Sequence, residues 1–475
     1  MKILTETEFI SICSSIRRIL LVNAPAVDVR LPWSRWQQPV GLIKIGTLLH
    51  TKENDVRVID CLQVPLNNRL TREKVGQLTI DSYRIDLWRF GLSPSKVISR
   101  LHEWQKQDWK PDIVLVSCGM SFWWQGAMDL ITQLKSTLNI PIVLGGLYPT
   151  FYSEHATLYT NADALFVGDM PESGLVVPDL TIYNPLPLPR FAGIHLLNTA
   201  GALTSSASLR DPQEVAGEVQ DKARQGVTTF AFFDSWLGPE HRQPLADTLA
   251  EIITRQITRI RFIAPGNFSP RLINTNLATL LKQVGFQHIY LHDDILHTPN
   301  QIDHFSGLDD YRNCMHALYQ AGFRPRTDEV GAAVVLGLPG ENLDDLTNWL
   351  VQLSSIVGSL HLVPFQFTPG TAEGKSYENW LAQRNGRFDP ATLNGRTFPM
   401  ARLAGASYED YLEITRLVAL LNSKFHSRTF DFLGCGLTAQ LVRKSLRDQL
   451  WNPFSERIRV EERDGFIPLP IKEDR

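Results

Sequence analysis

Residues 111–117 read Pro-Asp-Ile-Val-Leu-Val-Ser, and residues 141–146 read Pro-Ile-Val-Leu-Gly-Gly. Each is a short apolar run that opens near a proline and ends on a small polar or glycine residue. Successive strand side chains point to opposite faces, so a half-buried strand alternates apolar and polar residues. An unbroken apolar run is the signature of a strand buried on both faces. Three more runs of this kind lie in the first 175 residues, at 18–23 (RILLVN), 56–60 (VRVID) and 163–167 (DALFV). Between them, 40–50, 94–106 (with Ser93 as N-cap) and 124–138 carry apolar residues at helical spacing. Strand–helix–strand repetition predicts an α/β fold with a doubly wound parallel sheet, whose ligands sit at the carboxyl ends of the strands.

Working outward, residues 178–189 (PDLTIYNPLPLP) hold four prolines, too many for a helix or a central strand, and so read as a linker. Beyond it the alternation resumes. Strands are predicted near 192–198 and at 227–233, 259–263, 287–291, 330–336 and 360–367, and helices at 211–225, 275–284, 309–321 and 343–357. Asp211-Pro212 is an N-cap and first-turn pair. About six βα units predict a partial or full (β/α) barrel. The rest reads as mixed and mostly helical, with helices at 408–425 and 437–450. The sequence thus divides into 1–177, a linker at 178–190, a barrel over 191–375 and a C-terminal region over 376–475.

Composition narrows the function. Over 475 residues the net charge is −3, with 43% hydrophobic and 20% charged residues. A globular chain is implied, with no basic field to recruit nucleic acid or an anionic membrane. The apolar run at Ile19–Val22 is far short of a membrane span. The five cysteines, Cys13, Cys61, Cys118, Cys314 and Cys435, are scattered, the nearest pair being Cys13 and Cys61. No CxxC or Cys/His knuckle exists, which argues against a sequence-local thiolate metal site. A disulfide framework is out of place in so large a chain, and a reducing cytoplasm is expected.

Several loops together carry a family resemblance. Asn23-Ala24-Pro25 follows the first strand, Pro39-Val40-Gly41-Leu42 opens the first helix, and Val58-Ile59-Asp60 ends the second strand. Pro111 to Val114 leads to Ser117 and Ser121. Gly145-Gly146-Leu147-Tyr148-Pro149-Thr150, Glu154-His155-Ala156 and Ala162-Asp163 through Gly168-Asp169 follow in order. Over about 160 residues this resembles the Rossmann-like cobalamin-binding domain of cobalamin-dependent radical S-adenosylmethionine (SAM) enzymes. Further along, Ala231 to Asp234, Leu318 to Gly322, Gly337-Leu338-Pro339-Gly340-Glu341 and Pro364 to Thr371 resemble the same family's radical SAM barrel. The resemblance implies cobalamin as cofactor, held by Asn23, Pro25, Pro39, Gly41, Asp60, Ser117, Ser121, Gly145, Gly146, Tyr148, Pro149, Thr150 and Gly168. There is no DxHxxG motif to supply a histidine beneath the cobalt.

The departure from the family is sharper than the match. Its barrel opens with a CxxxCxxC loop that holds a [4Fe–4S] cluster, whose open iron binds SAM. Here the corresponding segment, Gly193 to Ala207 (GIHLLNTAGALTSSA), has no cysteine, and alanine, leucine or serine cannot replace thiolate ligands. The acidic position after the fourth barrel strand is altered as well, to Leu291-His292-Asp293-Asp294. No [4Fe–4S] cluster is therefore expected, and SAM cleavage by the family's route is excluded.

Other groups have two readings each. Gly145-Gly146 could let a ligand press on the main chain or could simply turn it. Phe122-Trp123-Trp124, with Trp33 and Trp36, could wall a corrinoid or pack between domains. His288, His292, Asp293, Asp294 and His297 could hold a metal, but solvated loop chemistry is the commoner use of such a cluster. His195 reads as a core histidine. Asp234 could touch substrate, although capping the neighbouring loop is the usual role. Gly337 to Glu341 could cradle a carboxylate or ribose, or serve only as a strand-to-helix turn.

The expected function is cobalamin chemistry, for example methyl transfer on a small molecule, without a cluster. If the chain is an enzyme, it is a cobalamin-dependent transferase. The alternative is a catalytically degenerate corrinoid-binding or protein-binding partner that regulates or scaffolds a pathway enzyme. A third version keeps SAM as an ordinary methyl donor. The partner is a small-molecule substrate or a partner enzyme, with no nucleic acid and no membrane.

Overall fold

The computed structural model describes residues 1–29, 39–50, 54–63, 70–168, 191–197, 208–234, 236–292, 306–324, 329–338, 341–365, 367, 369–385, 388–397 and 406–423. The chain divides into two compact units, one of Met1–Pro189 with Phe367–Thr397, the other of Arg190–Gln366 with Phe398–Arg475.

The first unit is built on six parallel strands, β1 (Lys2–Leu4), β2 (Arg18–Asn23), β4 (Asp55–Asp60), β7 (Ile113–Ser117), β8 (Ile142–Gly145) and β9 (Ala164–Phe166), in the order β1-β9-β8-β7-β2-β4. Their continuous hydrophobicity has the predicted cause. Ile19, Leu21, Ile113, Leu115 and Val143 pack on one face with Leu4, Phe9 and Cys13. Leu20, Val22, Val114, Val116, Ile142 and Leu144 pack on the other with Leu130, Ile131 and Leu134. Consecutive residues of one strand thus enter different cores, and neither face tolerates a polar residue. The helices are α1 (Glu6–Ser14), α2 (Val40–Leu49), α3 (Pro94–Gln105), α4 (Trp124–Thr137), α5 (Leu147–Phe151) and α6 (Ser153–Tyr159). Ser93 is the N-cap of α3, but its hydroxyl pairs with Ser95 Oγ at 2.9 Å rather than with a helix amide.

A second, antiparallel sheet of β3 (Ala26–Asp28), β6 (Tyr83–Phe90) and β5 (Arg72–Ile80) completes this unit's sheets. β5 and β6 form a hairpin across Asp81-Ser82, with Ile80 paired to Tyr83 and Asp81 at φ +52°.

The second unit has six parallel strands in chain order: β10 (Phe191–Ile194), β11 (Thr229–Phe232), β12 (Arg261–Phe268), β13 (Phe286–Leu291), β14 (Val330–Leu336) and β15 (Ser359–Pro364). Its helices include α7 (Pro212–Arg224), α8 (Arg242–Thr254), α9 (Thr275–Val284), α10 (Leu308–Gln320) and α11 (Leu343–Ser354). This is the arrangement of a partial barrel, with no pairing of β15 to β10 among the described residues. Phe230, Phe232, Phe262 and Phe286 stack in its core with centroids 5.5–6.2 Å apart. Asp211 caps α7, accepting from Gln213 N at 2.7 Å. α13 (Tyr408–Ser423) returns to β15 through Asn422, which both donates to and accepts from the Leu360 backbone. The helix predicted at 437–450 lies outside the described residues. No described helix is long and apolar enough to cross a membrane.

The predicted boundary at 375/376 differs from the observed division. Residues 367–397, including α12 (Ala372–Asn385), belong with the first unit. Tyr377 and Leu381 enter its core. Tyr152 donates to Glu378, and Trp124 Nε1 donates to Asp389 at 2.8 Å. Asp28, 1% exposed, accepts from Trp123 Nε1 (2.9 Å), Asn394 Nδ2 (2.8 Å) and Arg396 Nη1 (2.5 Å).

Candidate functional site

The predicted ligand edge of the first unit is built by strand register. Asn23 pairs with Asp60 on one side and with Ser117 on the other, and Ser117 pairs with Gly145. Four predicted residues from four strands therefore form one row across the carboxyl edge. The row contains two kinds of residue. Asn23 and Asp60 are buried and mutually satisfied: Asn23 Nδ2 donates to Asp60 Oδ1 at 2.7 Å, and the same oxygen accepts from Leu62 N at 2.9 Å. This pair fixes the loop after β4. Ser117 and Gly145 are half-buried and border solvent.

The adjoining loop has a comparable split. Gly146 has φ +97°, and a Cβ on it would lie 2.5 Å from the Cys118 carbonyl oxygen. That residue must be glycine for the turn itself. Gly145 has no such constraint, since its Cβ would meet only Phe166 at 3.8 Å or beyond. Thr150 Oγ1 donates to Gly146 O (2.8 Å) and accepts from Gly168 N (3.1 Å), which ties the β8 loop to the β9 loop. Tyr148 is fully buried, its hydroxyl 2.7 Å from His155 Nδ1, and Pro149 and Ser121 are buried too. These residues shape the edge. Pro25 is also buried, and its carbonyl is approached so closely by α4 that a Cβ on Gly126 would lie 2.0 Å away. Sequence reading missed Gly126, although a glycine inside a helical pattern is itself a signal of close approach. Pro39 and Gly41 stand at the start of α2, with open space beside Gly41.

Phe122, Trp123 and Trp124 are buried at 8% exposure or less, and both indoles are hydrogen-bonded within the first unit. They are core residues of that unit. Trp33 and Trp36 lie outside the described residues.

In the second unit, Asp234 follows β11 and is buried. Its carboxylate accepts from Leu196 N with both oxygens (3.0 Å each) and from Leu197 N (2.8 Å). It caps Leu196 and Leu197 directly after β10, at the start of the segment in which the sequence lacks cluster cysteines. Burial raises its carboxyl to about 6, against the pull of those amides and of Arg210. Beneath β10, Arg210 and Lys222 flank the buried Glu218 at 2.8 and 2.5 Å, and Lys222 also donates to Gly193 O. Burial alone would raise Glu218, but the two cations outweigh it and hold the carboxyl at about 2. His195 is half-buried, and its carbonyl accepts from Arg210. Glu341 folds back to accept from Gly337 N at 2.7 Å, and burial pushes it up to about 7. Its acceptor thus serves the strand-to-helix turn. His292 Nδ1 lies 3.1 Å from Ala333 O, while Asp293, Asp294 and His297 lie outside the described residues.

These two parallel sheets, one wound about β2 and one in chain order, match known structures. The chain shares its fold with the radical SAM methyltransferase TsrM from Kitasatospora setae. One TsrM structure, with tryptophan substrate and the SAM analogue aza-SAM bound, aligns at TM-score 0.53 and 15% identity over 77% of this chain and 76% of that one. A second, with cobalamin and a [4Fe–4S] cluster bound, aligns at TM-score 0.52 and 15% identity over 77% and 75%. No protein-family profile and no curated protein matches the sequence.

Among the described residues, no cysteines are gathered where a cluster could sit. Cys13, Cys61, Cys118 and Cys314 are buried on separate elements, and burial pushes all four thiols up, to about 12 for Cys13 and Cys118. A cluster needs thiolates gathered at one site. The loop at 198–207 and Cys435 lie outside the described residues, and that loop contains no cysteine.

Proposed function

We propose that the chain binds a corrinoid on the carboxyl edge of its first parallel sheet and serves cobalt-based methyl transfer to a small molecule without an iron–sulfur cluster. The observation that carries this reading is the single row of Asn23, Asp60, Ser117 and Gly145 at the edge where an α/β sheet receives its ligand. The fold shared with a cobalamin-containing structure supports it. Ser117 and Gly145 would border the ring, with Gly168 and Gly41 beside open space. Bare main chain of this kind lets a flat, partly apolar group approach closely.

When bound, a corrinoid supplies a methyl group on cobalt that can pass to a nucleophile. The chain's own residues do the positioning. Asn23–Asp60 holds the β4 loop, Thr150 holds the β8 and β9 loops together, and Gly146 lets the chain turn beneath them. Asp234 holds the backbone of Leu196 and Leu197, just before the cysteine-free segment of the second unit. In this reading no step passes through a cluster.

The test is purification of the full chain with hydroxocobalamin, followed by a visible spectrum and cobalt and iron assays. Stoichiometric corrinoid with no iron is expected. Gly145→Leu should lose the corrinoid and keep its circular dichroism, since its Cβ has room. No retention by the wild-type chain at saturating corrinoid refutes the reading, as does unchanged retention in Gly145→Leu. Demethylation of bound methylcobalamin on addition of a small nucleophile separates the transferase from the scaffold.

A further inference from the structure

β12 does not run straight to its carboxyl end. Pro265 pairs with Tyr290 and Phe268 with the next residue, Leu291, so Gly266 and Asn267 bulge out of the ladder, with Gly266 at φ +122°. The Asn267 side chain spans the gap, its Nδ2 donating to Phe232 O and to Asp234 O at 3.0 Å each. Those bonds fix the amide's orientation, because turned over it would aim its oxygen at two carbonyls. Oδ1 therefore faces away from them. Among the described residues it has no hydrogen-bond partner, although Asn267 is only 3% exposed.

A second unpaired atom stands beside the first. Leu237 pairs in parallel with Phe268, its N–H donating to Asn267 O (2.7 Å) and its carbonyl accepting from Ser269 N (3.0 Å). This register sets Trp236 next to Asn267. Leu237 and Phe268 are fully buried, with Phe268 against Phe232 and Phe286. The residues before them turn to the opposite face. Trp236 Nε1 is buried and, among the described residues, also without a hydrogen-bond partner. Its ring lies on Gly238, where a Cβ would sit 2.1 Å from Cη2.

Buried polar atoms without partners are costly and few in a native fold. Here an acceptor and a donor adjoin at the carboxyl edge of parallel strands, where sheets of this kind receive ligands. We propose that Asn267 Oδ1 and Trp236 Nε1 form a subsite for an uncharged amide, whose N–H donates to Asn267 and whose carbonyl accepts from Trp236. A neutral group is required because an ion would be buried without a counter-charge. The neighbouring carboxylate, Asp234, already accepts from Leu196 N and Leu197 N. Trp236 is itself half-buried, so the pair lies within one side chain of solvent. The subsite belongs wholly to the second unit and does not depend on the corrinoid reading.

The test uses the full chain without corrinoid, isotope-labelled at the tryptophan indole nitrogens. The Trp236 signal is identified by its absence from Trp236→Phe. Acetamide and benzamide should move that signal saturably. Acetate and benzoate, similar in shape but charged, should bind at least about tenfold more weakly. Trp236→Phe keeps a ring over Gly238 and loses the donor, so benzamide binding, followed on the ligand by saturation-transfer NMR, should weaken by about fivefold. A Trp236 signal unmoved by both amides means that the pair holds solvent only, and overturns the proposal. Equal affinity for amide and carboxylate overturns it too, as does unchanged benzamide binding by folded Trp236→Phe. Corrinoid retention is measured separately, so either reading can fail without the other.

Discussion

Replacing Asp28 by alanine tests how the first unit is held together. The carboxylate is 1% exposed and receives an indole N–H, an amide N–H and a guanidinium, two of them from residues more than 360 positions away. Alanine leaves Arg396, with 16% side-chain exposure, facing a buried site without its counter-charge. Breaking such a pair from one side costs about 3–5 kcal/mol, because the remaining charge and donors keep their desolvation cost. With a urea m-value of about 3 kcal/mol/M, the unfolding midpoint should fall by about 1 M or more. The Trp123 indole is itself a donor to Asp28, but with eleven tryptophans in the chain fluorescence follows unfolding as a whole. Pairing Asp28→Ala with Arg396→Met should recover part of the loss, since the second change removes the stranded charge. A midpoint shift below about 0.3 M in Asp28→Ala would refute the account and make residues 389–397 a dispensable appendage.

Three further outcomes follow from the geometry. Gly146→Ala should lower stability by about 1–3 kcal/mol, since φ +97° and the Cys118 carbonyl both oppose a Cβ, while Gly145→Ala should change it by less than about 0.5 kcal/mol; thermal melts compare the two. Folded Asp234 keeps its proton up to about pH 6, whereas the unfolded chain releases it near 4. The folded state therefore binds more protons between those values, and stability falls as pH rises from about 4 to about 6, by up to roughly 3 kcal/mol relative to Asp234→Asn in urea titrations at stepped pH. Glu218 has the opposite sign: with its carboxyl held at about 2, its contribution is complete above the usual carboxylate range and is lost as pH falls from about 4.5 through 2. Glu218→Gln should cost about 3–5 kcal/mol at neutral pH by stranding buried Lys222, and a loss under 1 kcal/mol in chemical denaturation would contradict the pairing.

What could be read from the sequence followed from how local each signal is. Ile113–Ser117 and Ile142–Gly145 declare themselves because burial on both faces leaves no room for a polar residue. α1 was equally readable in principle, since Thr5 and Glu8 form a capping box, with Thr5 N donating to Glu8 at 2.9 Å. The β5–β6 hairpin was not, because β5 is largely exposed, β6 is mostly half-buried, and neither carries a continuous apolar run. Among the site residues, chemistry predicted the carboxyl edge but could not sort it. Tyr148 and Asp60 look like ligand contacts in a motif, yet both spend their polar groups inside the fold.

The sequence by itself determined the two α/β units and the absence of clustered thiolates, since both are properties of residues close together along the chain. Only the tertiary structure decided which unit residues 367–397 complete, why Asp28 is buried, and that Asp234 caps Leu196 and Leu197 after β10. Each of those depends on groups brought together from distant positions. Pairings of that range leave no periodicity or spacing to read, because the energy that selects them, the cost of burying a polar group without its partner, exists only once the chain has closed around it.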